Sequence, residues 1–264
     1  MSGKWIFLFL ILIGGGIGIW LLLSSPVPEG TSALSRAGGI SLFGYDSQGE
    51  VAWAVHAETG EMEEGKESKL SDVSLLFLSG GEDDVEAACD TLHFSGDEAT
   101  LSGNVTLTEK GGMRLVTDSA NWGTTTREIS ASDVTITVQS GSITAPEFRY
   151  QTDDRHAVMS GGVQATVDSA SLLTVTGNEA EAHADLISID GNVRVHVRDE
   201  EYTADRLGYS SKDDVTTLSG GVVGTFAHGA ITADELVIRK NEISASGGVH
   251  ISLTNGFLGG ADGT

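Results

Sequence analysis

The sequence predicts an all-β protein, elongated and two-sheeted, behind one N-terminal transmembrane helix. Three observations predict the β part. A phrase of small turn-formers followed by valine returns at even steps: "LSGNV" at 101–105, "MSGGV" at 159–163, "IDGNV" at 189–193 and "LSGGV" at 218–222. Each valine opens a run that alternates apolar and polar residues. A second phrase, built round Asp, Asn or Pro, falls about half a period later.

The first element is the apolar stretch Trp5–Leu23, nineteen residues without a charge. At about 1.5 Å per residue it matches a hydrocarbon core of about 30 Å. Lys4 precedes it, and the next positive charge is Arg36. The positive end stays in the cytoplasm, which places residues 1–4 as a cytoplasmic stub and everything after residue 23 outside. A cleavable leader has a shorter apolar core, of about 7–15 residues, although "TSA" at 31–33 is a usable cleavage site. Trp5 and Trp20 sit near the two ends, as interfacial indoles do. Residues 24–39, "SSPVPEGTSALSRAGG", read as an exposed linker.

The repeat follows. Val73, Val105, Val134, Val163, Val193, Val222 and Val249 are separated by 32, 29, 29, 30, 29 and 27 residues, a repeat of about 29. The runs "VTLTE", "VTITV", "VRVHV" and "VHISL" have the period of two of a strand with one buried face. The second phrase includes "ACDTLHF", "VTDSANW", "TAPEFRY" and "TADRLGY". Its turn-formers Asp90, Asp118, Pro146, Asn178, Asp205 and Asp234 are read as corners, where a strand bends from one sheet into a second. The glycine pairs are read as tight turns that open each layer. Many glycines (35) beside few prolines (3) suit such an ordered, turn-rich chain.

Alternation places Val105, Leu107, Leu115, Trp122, Val134, Ile136, Val138, Ile143, Phe148, Val163, Val193, Val195, Val222, Phe226 and Ile251 between the sheets. Core and groove share this pattern, so the stripe fits either a closed core or an open slot. A stack of strands also leaves two free edges, here Ile40, Leu42 and Tyr45 at one end and Val249, Ile251 and Leu253 at the other. The last of these, ahead of a tail at 255–264, has no Pro, Lys or Arg guarding it.

The net charge of −23 excludes free nucleic acid as a partner. It also implies that any anionic lipid is held through its apolar part. The lone Cys89 forms no internal disulfide and reads as a small buried apolar residue. The seven histidines, at 56, 93, 156, 183, 196, 228 and 250, include no HxxxH or HExxH pair. There is no GxSxG elbow, no phosphate-binding loop and no GGxGxD calcium repeat. The expectation is no catalytic residue, no metal, no cofactor and no enzymatic activity. A polysaccharide enzyme would need carboxylates clustered on one face, and the repeat offers about one per layer.

The anchor, the opening strands "GYDSQGEVAWAVHAE" (Gly44–Glu58) and the layer "TLSGNVTLTEKGGMRLVTDSANW" (Thr100–Trp122) resemble the OstA/LptA-like lipopolysaccharide-export domains, most closely the LptC family. Tyr45, Asp46, Gly49, Trp53 and Ala57 stand where that family tends to place Tyr-Asp, Gly, an aromatic and Ala. The resemblance covers residues 40–167, where a typical member ends. Residues 168–254 then add further OstA/LptA-like layers. The family implies an elongated β-jellyroll held in the periplasm by a single pass through the inner membrane. It also implies lipopolysaccharide transport toward the outer membrane. The resemblance further implies that an inner-membrane ABC permease of the Lpt type supplies lipid A acyl chains to the groove, and that an LptA-like protein receives them by edge-to-edge strand pairing. The alternative is a structural β-solenoid, a scaffold or surface protein with a closed core.

Overall fold

The computed structural model describes residues 34–63, 68–79, 82–110, 112–138, 141–167, 173–183, 186–239 and 242–254. The expected span at 5–23, most of the linker and the tail 255–264 lie outside the described residues. Among the described residues, no helix is long and apolar enough to cross a membrane.

Eighteen strands follow in chain order: β1 (Leu34–Tyr45), β2 (Val51–Glu63), β3 (Ser68–Ser79), β4 (Glu82–Ser95), β5 (Glu98–Glu109), β6 (Arg114–Gly123), β7 (Glu128–Val138), β8 (Gly141–Gln151), β9 (His156–Ser160), β10 (Val163–Val167), β11 (Leu173–Gly177), β12 (Glu179–His183), β13 (Leu186–Val197), β14 (Glu200–Ser210), β15 (Val215–Phe226), β16 (Gly229–Arg239), β17 (Glu242–Ser246) and β18 (His250–Leu253). Three passes of the chain are each broken into two strands, β9 with β10, β11 with β12 and β17 with β18, which leaves fifteen passes. Each pass pairs antiparallel with the one before and the one after.

The passes bend at mid-length. The β4–β5 register jumps from Ala88↔Thr106 to Thr91↔Ser102, which leaves Cys89 and Asp90 facing Gly103, Asn104 and Val105. The same jump recurs between β14 and β15, and between β15 and β16. Every second pass has positive φ at this point: Gly39, Asp72, Gly103–Asn104, Asp133, Gly161–Gly162, Gly191–Asn192, Gly220–Gly221 and Gly247–Gly248. The glycine phrase therefore does not open a layer, contrary to the sequence expectation. It is a bulge or break in the middle of a pass, packed against the Asp, Asn or Pro corner of the preceding pass. A Cβ on Gly220 would fall 2.6 Å from the Asp205 side chain, and one on Gly161 would fall 3.1 Å from Pro146. The two phrases that recur half a period apart are the two sides of one corner. The Asn104 amide donates to Asp90 Oδ2 at 2.9 Å across it.

The turns that reverse the chain lie at the strand ends instead. In the turn after β1, Asp46 Oδ1 accepts from the backbone N–H of Gln48 (2.8 Å) and Glu50 (3.0 Å). Those bonds hold its carboxyl below the usual carboxylate range.

Bending divides the passes into two half-sheets that face each other. Trp122, from one half of β6, meets Trp53 of β2 at 5.0 Å and Phe77 of β3 at 5.1 Å between ring centroids, both edge to face. Several passes separate β6 from β2 within the sheet, so this contact is made across the fold. A single apolar cluster runs from Val55 to Leu236. It has members on both β10 and β11, which pair in regular register, Val163↔Gly177 to Val167↔Leu173.

Candidate functional site

The site is built from two rows of side chains. In the first half-sheet, each inward residue faces the next across the strand pairs, starting with Leu42, Val55, Leu75, Ala87, Leu107, Leu115, Ile136 and Ile143. The row goes on through Ala165, Val175, Val195, Tyr202, Gly224, Ile231 and Ile251. It crosses all fifteen passes without a charged member. At about 4.8 Å per strand it is roughly 65 Å long.

The second half-sheet carries a matching row: Ala37, Gly60, Leu70, Leu92, Leu101, Ala120, Ala131 and Phe148. It continues through Met159, Ala180, Ile189, Leu207, Leu218, Leu236 and Ala245. Sequence reasoning missed most of this row, although its signal was on the page. Leu101, Met159, Ile189 and Leu218 are the first letters of the repeated phrase. Taking that phrase as a turn hid the fact that they lie in strands.

Of the residues expected between the sheets, Val105, Leu107, Leu115, Trp122, Val134, Ile136, Phe148, Val163, Val193, Val195 and Val222 are buried. Ile143 and Phe226 are half-buried, Val138 is at the rim and Ile251 is 58% exposed. Mid-length packing is tight: Val105, Leu115 and Trp122 have no measurable exposure. Gly44 makes room for this, because any side chain there would collide with the Trp53 ring that lies across it. Covering is lost toward the ends of the stack. Ile243, Val249 and Leu253 join Ile251 among the exposed apolar residues at one end; at the other, Tyr45 is exposed at the end of β1, and Phe43, next to the inward Leu42, is exposed on the outer face. Ile40 and Leu42 are half-buried. Among the described residues, β1 pairs with β2 alone and β17–β18 with β16 alone, so each presents an open edge.

The interior is almost free of polar groups. Among the described residues the buried polar ones are Thr117 and Thr152, and both hydroxyls donate to backbone carbonyls, of Ser132 and Arg127. The acidic corners Asp90, Asp118, Asp133, Asp205 and Asp234 are exposed, on the outside of the bends. Asp190 binds Arg206 there and raises its pKa. A depression of about 770 Å³ lies on the outer face of β12–β16, over Ser188, Gly208 and Thr217, and does not connect the two rows. Among the described residues no group of three or more His, Cys, Asp or Glu is placed to hold a metal ion.

Burial pushes the Cys89 thiol up to about 11 from 9.0. Burial, followed by the hydrogen bond to Glu200, pushes Tyr202 up to about 12 from 10.0. Both groups are neutral when protonated, and folding raises both values. Their contribution to stability is therefore complete below the unfolded values and is lost as pH rises through the folded ones. The urea midpoint should fall between pH 9 and 12, and Cys89→Val should flatten the part of the fall between 9 and 11. An unchanged pH profile in that variant would refute the assignment.

A family model described as "Lipopolysaccharide-assembly, LptC-related" matches residues 10–168. No curated protein matches the sequence. Among solved structures the chain is similar to LptH, the LptA homologous periplasmic component of the lipopolysaccharide transport device from Pseudomonas aeruginosa. The identity is 11%, the match covers 55% of this chain and 96% of that one, and the TM-score is 0.38.

Proposed function

Because the chain belongs to the LptC-related lipopolysaccharide-assembly family, we propose that it is an inner-membrane-anchored periplasmic lipopolysaccharide-transfer protein. The observation that carries this reading is the pair of unbroken apolar rows. Residues 5–23 hold the protein in the bilayer, beside an ABC permease of the Lpt type that delivers the lipid. Residues 40–167 form the LptC-like β-jellyroll, and 168–254 extend it with OstA/LptA-like layers.

Acyl chains take the place of the contact between the two rows, while sugars and phosphates stay outside. Each buried CH₂ contributes about 0.8 kcal/mol, so a chain of about a dozen carbons gains roughly 10 kcal/mol. Similar layers give similar wells, so the cargo steps along the rows instead of crossing water. The edge at Val249, Ile251 and Leu253 passes it to an LptA-like protein by strand pairing, and the edge at Ile40, Leu42 and Tyr45 faces the supply side.

The test is photo-crosslinking in living cells from Ile136 and Phe148, one on each row. Adducts with lipopolysaccharide are expected. Adducts with protein alone would sink the reading. They would favour a structural β-solenoid, which the complete burial of Val105, Leu115 and Trp122 also fits.

A further inference from the structure

Trp122 is the residue that the packing leaves incompletely explained. It lies on β6 between Ala99 and Ile129 in the strand register. Trp53, Phe77 and Phe94 surround its ring at centroid distances of 5.0, 5.1 and 6.3 Å. The ring has no exposure, and among the described residues its indole Nε1–H has no hydrogen-bond partner. Folding strips that donor of water and returns no oxygen or nitrogen acceptor for it, which is a costly arrangement. A phenylalanine would fill an aromatic seat without the penalty. A state that brings an acceptor into this apolar interior would recover what the closed packing forfeits.

We propose that the Trp122 Nε1–H is a specificity-determining donor of the apolar interior, pairing with the ester or amide carbonyl oxygen that joins an acyl chain to its headgroup. This deepens the lipid-transfer reading and rests on it. When chains part the two half-sheets, the indole leaves its edge-to-face seat between Trp53 and Phe77. The carbonyls are the acceptors nearest the apolar part of such a lipid, so they are the groups that this buried donor meets. Plain hydrocarbon and ether-linked chains fit the same rows but leave the donor unpaired. The interior therefore selects acylated lipids over chains of equal length without a carbonyl.

The test uses the full chain in nanodiscs and replaces Trp122 with benzothienylalanine, which keeps the bicyclic shape and removes only the N–H. Affinity for purified lipopolysaccharide should fall on the order of 5-fold, with thermal stability equal or raised. The unsubstituted protein should also prefer an ester-linked lipid over an ether-linked one of the same chain length by a similar factor. That arm needs no variant. Lipopolysaccharide binding that is equal in both proteins, or no preference between ester and ether, overturns the role of Trp122 and leaves lipid transfer standing. A native chain that binds no lipopolysaccharide overturns both.

Discussion

Leu115→Asp should cost the protein at least about 4 kcal/mol, and Val116→Asp, one residue on, should cost within about 0.5 kcal/mol. Leu115 has no exposure and sits in its row between Leu107 and Ile136, whereas Val116 is 41% exposed on the outer face. A carboxylate at 115 has no cation and no water to meet, and it also empties the space of a leucine side chain. The passes contact mainly their neighbours, so the damage should be local. Urea unfolding gives the magnitude, and hydrogen exchange gives the extent. Loss of protection should centre on β5–β7 and spare β13–β16. Equal effects at 115 and 116 would mean that the rows do not face inward as described.

Gly220→Val should cost about 3 kcal/mol, although residue 220 is exposed. Its φ is +82°, in the left-handed region where a β-branched residue is a true outlier. The added Cβ would also fall 2.6 Å from the Asp205 side chain, which belongs to the facing corner. The substitution must flatten the bulge or push Asp205 away, and either straightens a pass that has to turn from one half-sheet into the other. Gly208→Ala is the control, because nothing lies within 4 Å of a Cβ placed there. It should be neutral or stabilise by up to about 1 kcal/mol. Matched urea midpoints of the two variants decide the point, and equal costs would remove the corner from the account.

The all-β class, the period and the two-sheet arrangement were legible because strand alternation is a local pattern that survives in the sequence. The corner positions were legible for the same reason: Asp and Asn bend a backbone wherever they sit. The role of the glycine phrase was not legible. "LSGNV" is chemically a hairpin turn, and only pairing with the previous pass makes it a bulge instead. That pairing is a property of residues 14 positions away, such as Asn104 with Asp90. The second apolar row went unread with it. Nor does alternation alone distinguish Val138, at the rim, from Val134, which is buried on the same strand. Val138 is the last residue of β7, whereas Val134 lies within it.

Because each pass pairs with the one just made, the order of synthesis is also an order of assembly. The Trp53–Trp122 contact, the farthest-reaching one named above, closes once β6 has emerged. A chain threading out of a narrow channel can thus settle its early portion while the later portion is still unmade. Pairing of this kind keeps contact order low and leaves a single growing edge at any moment, which limits the time for which a bare strand is offered to a neighbour.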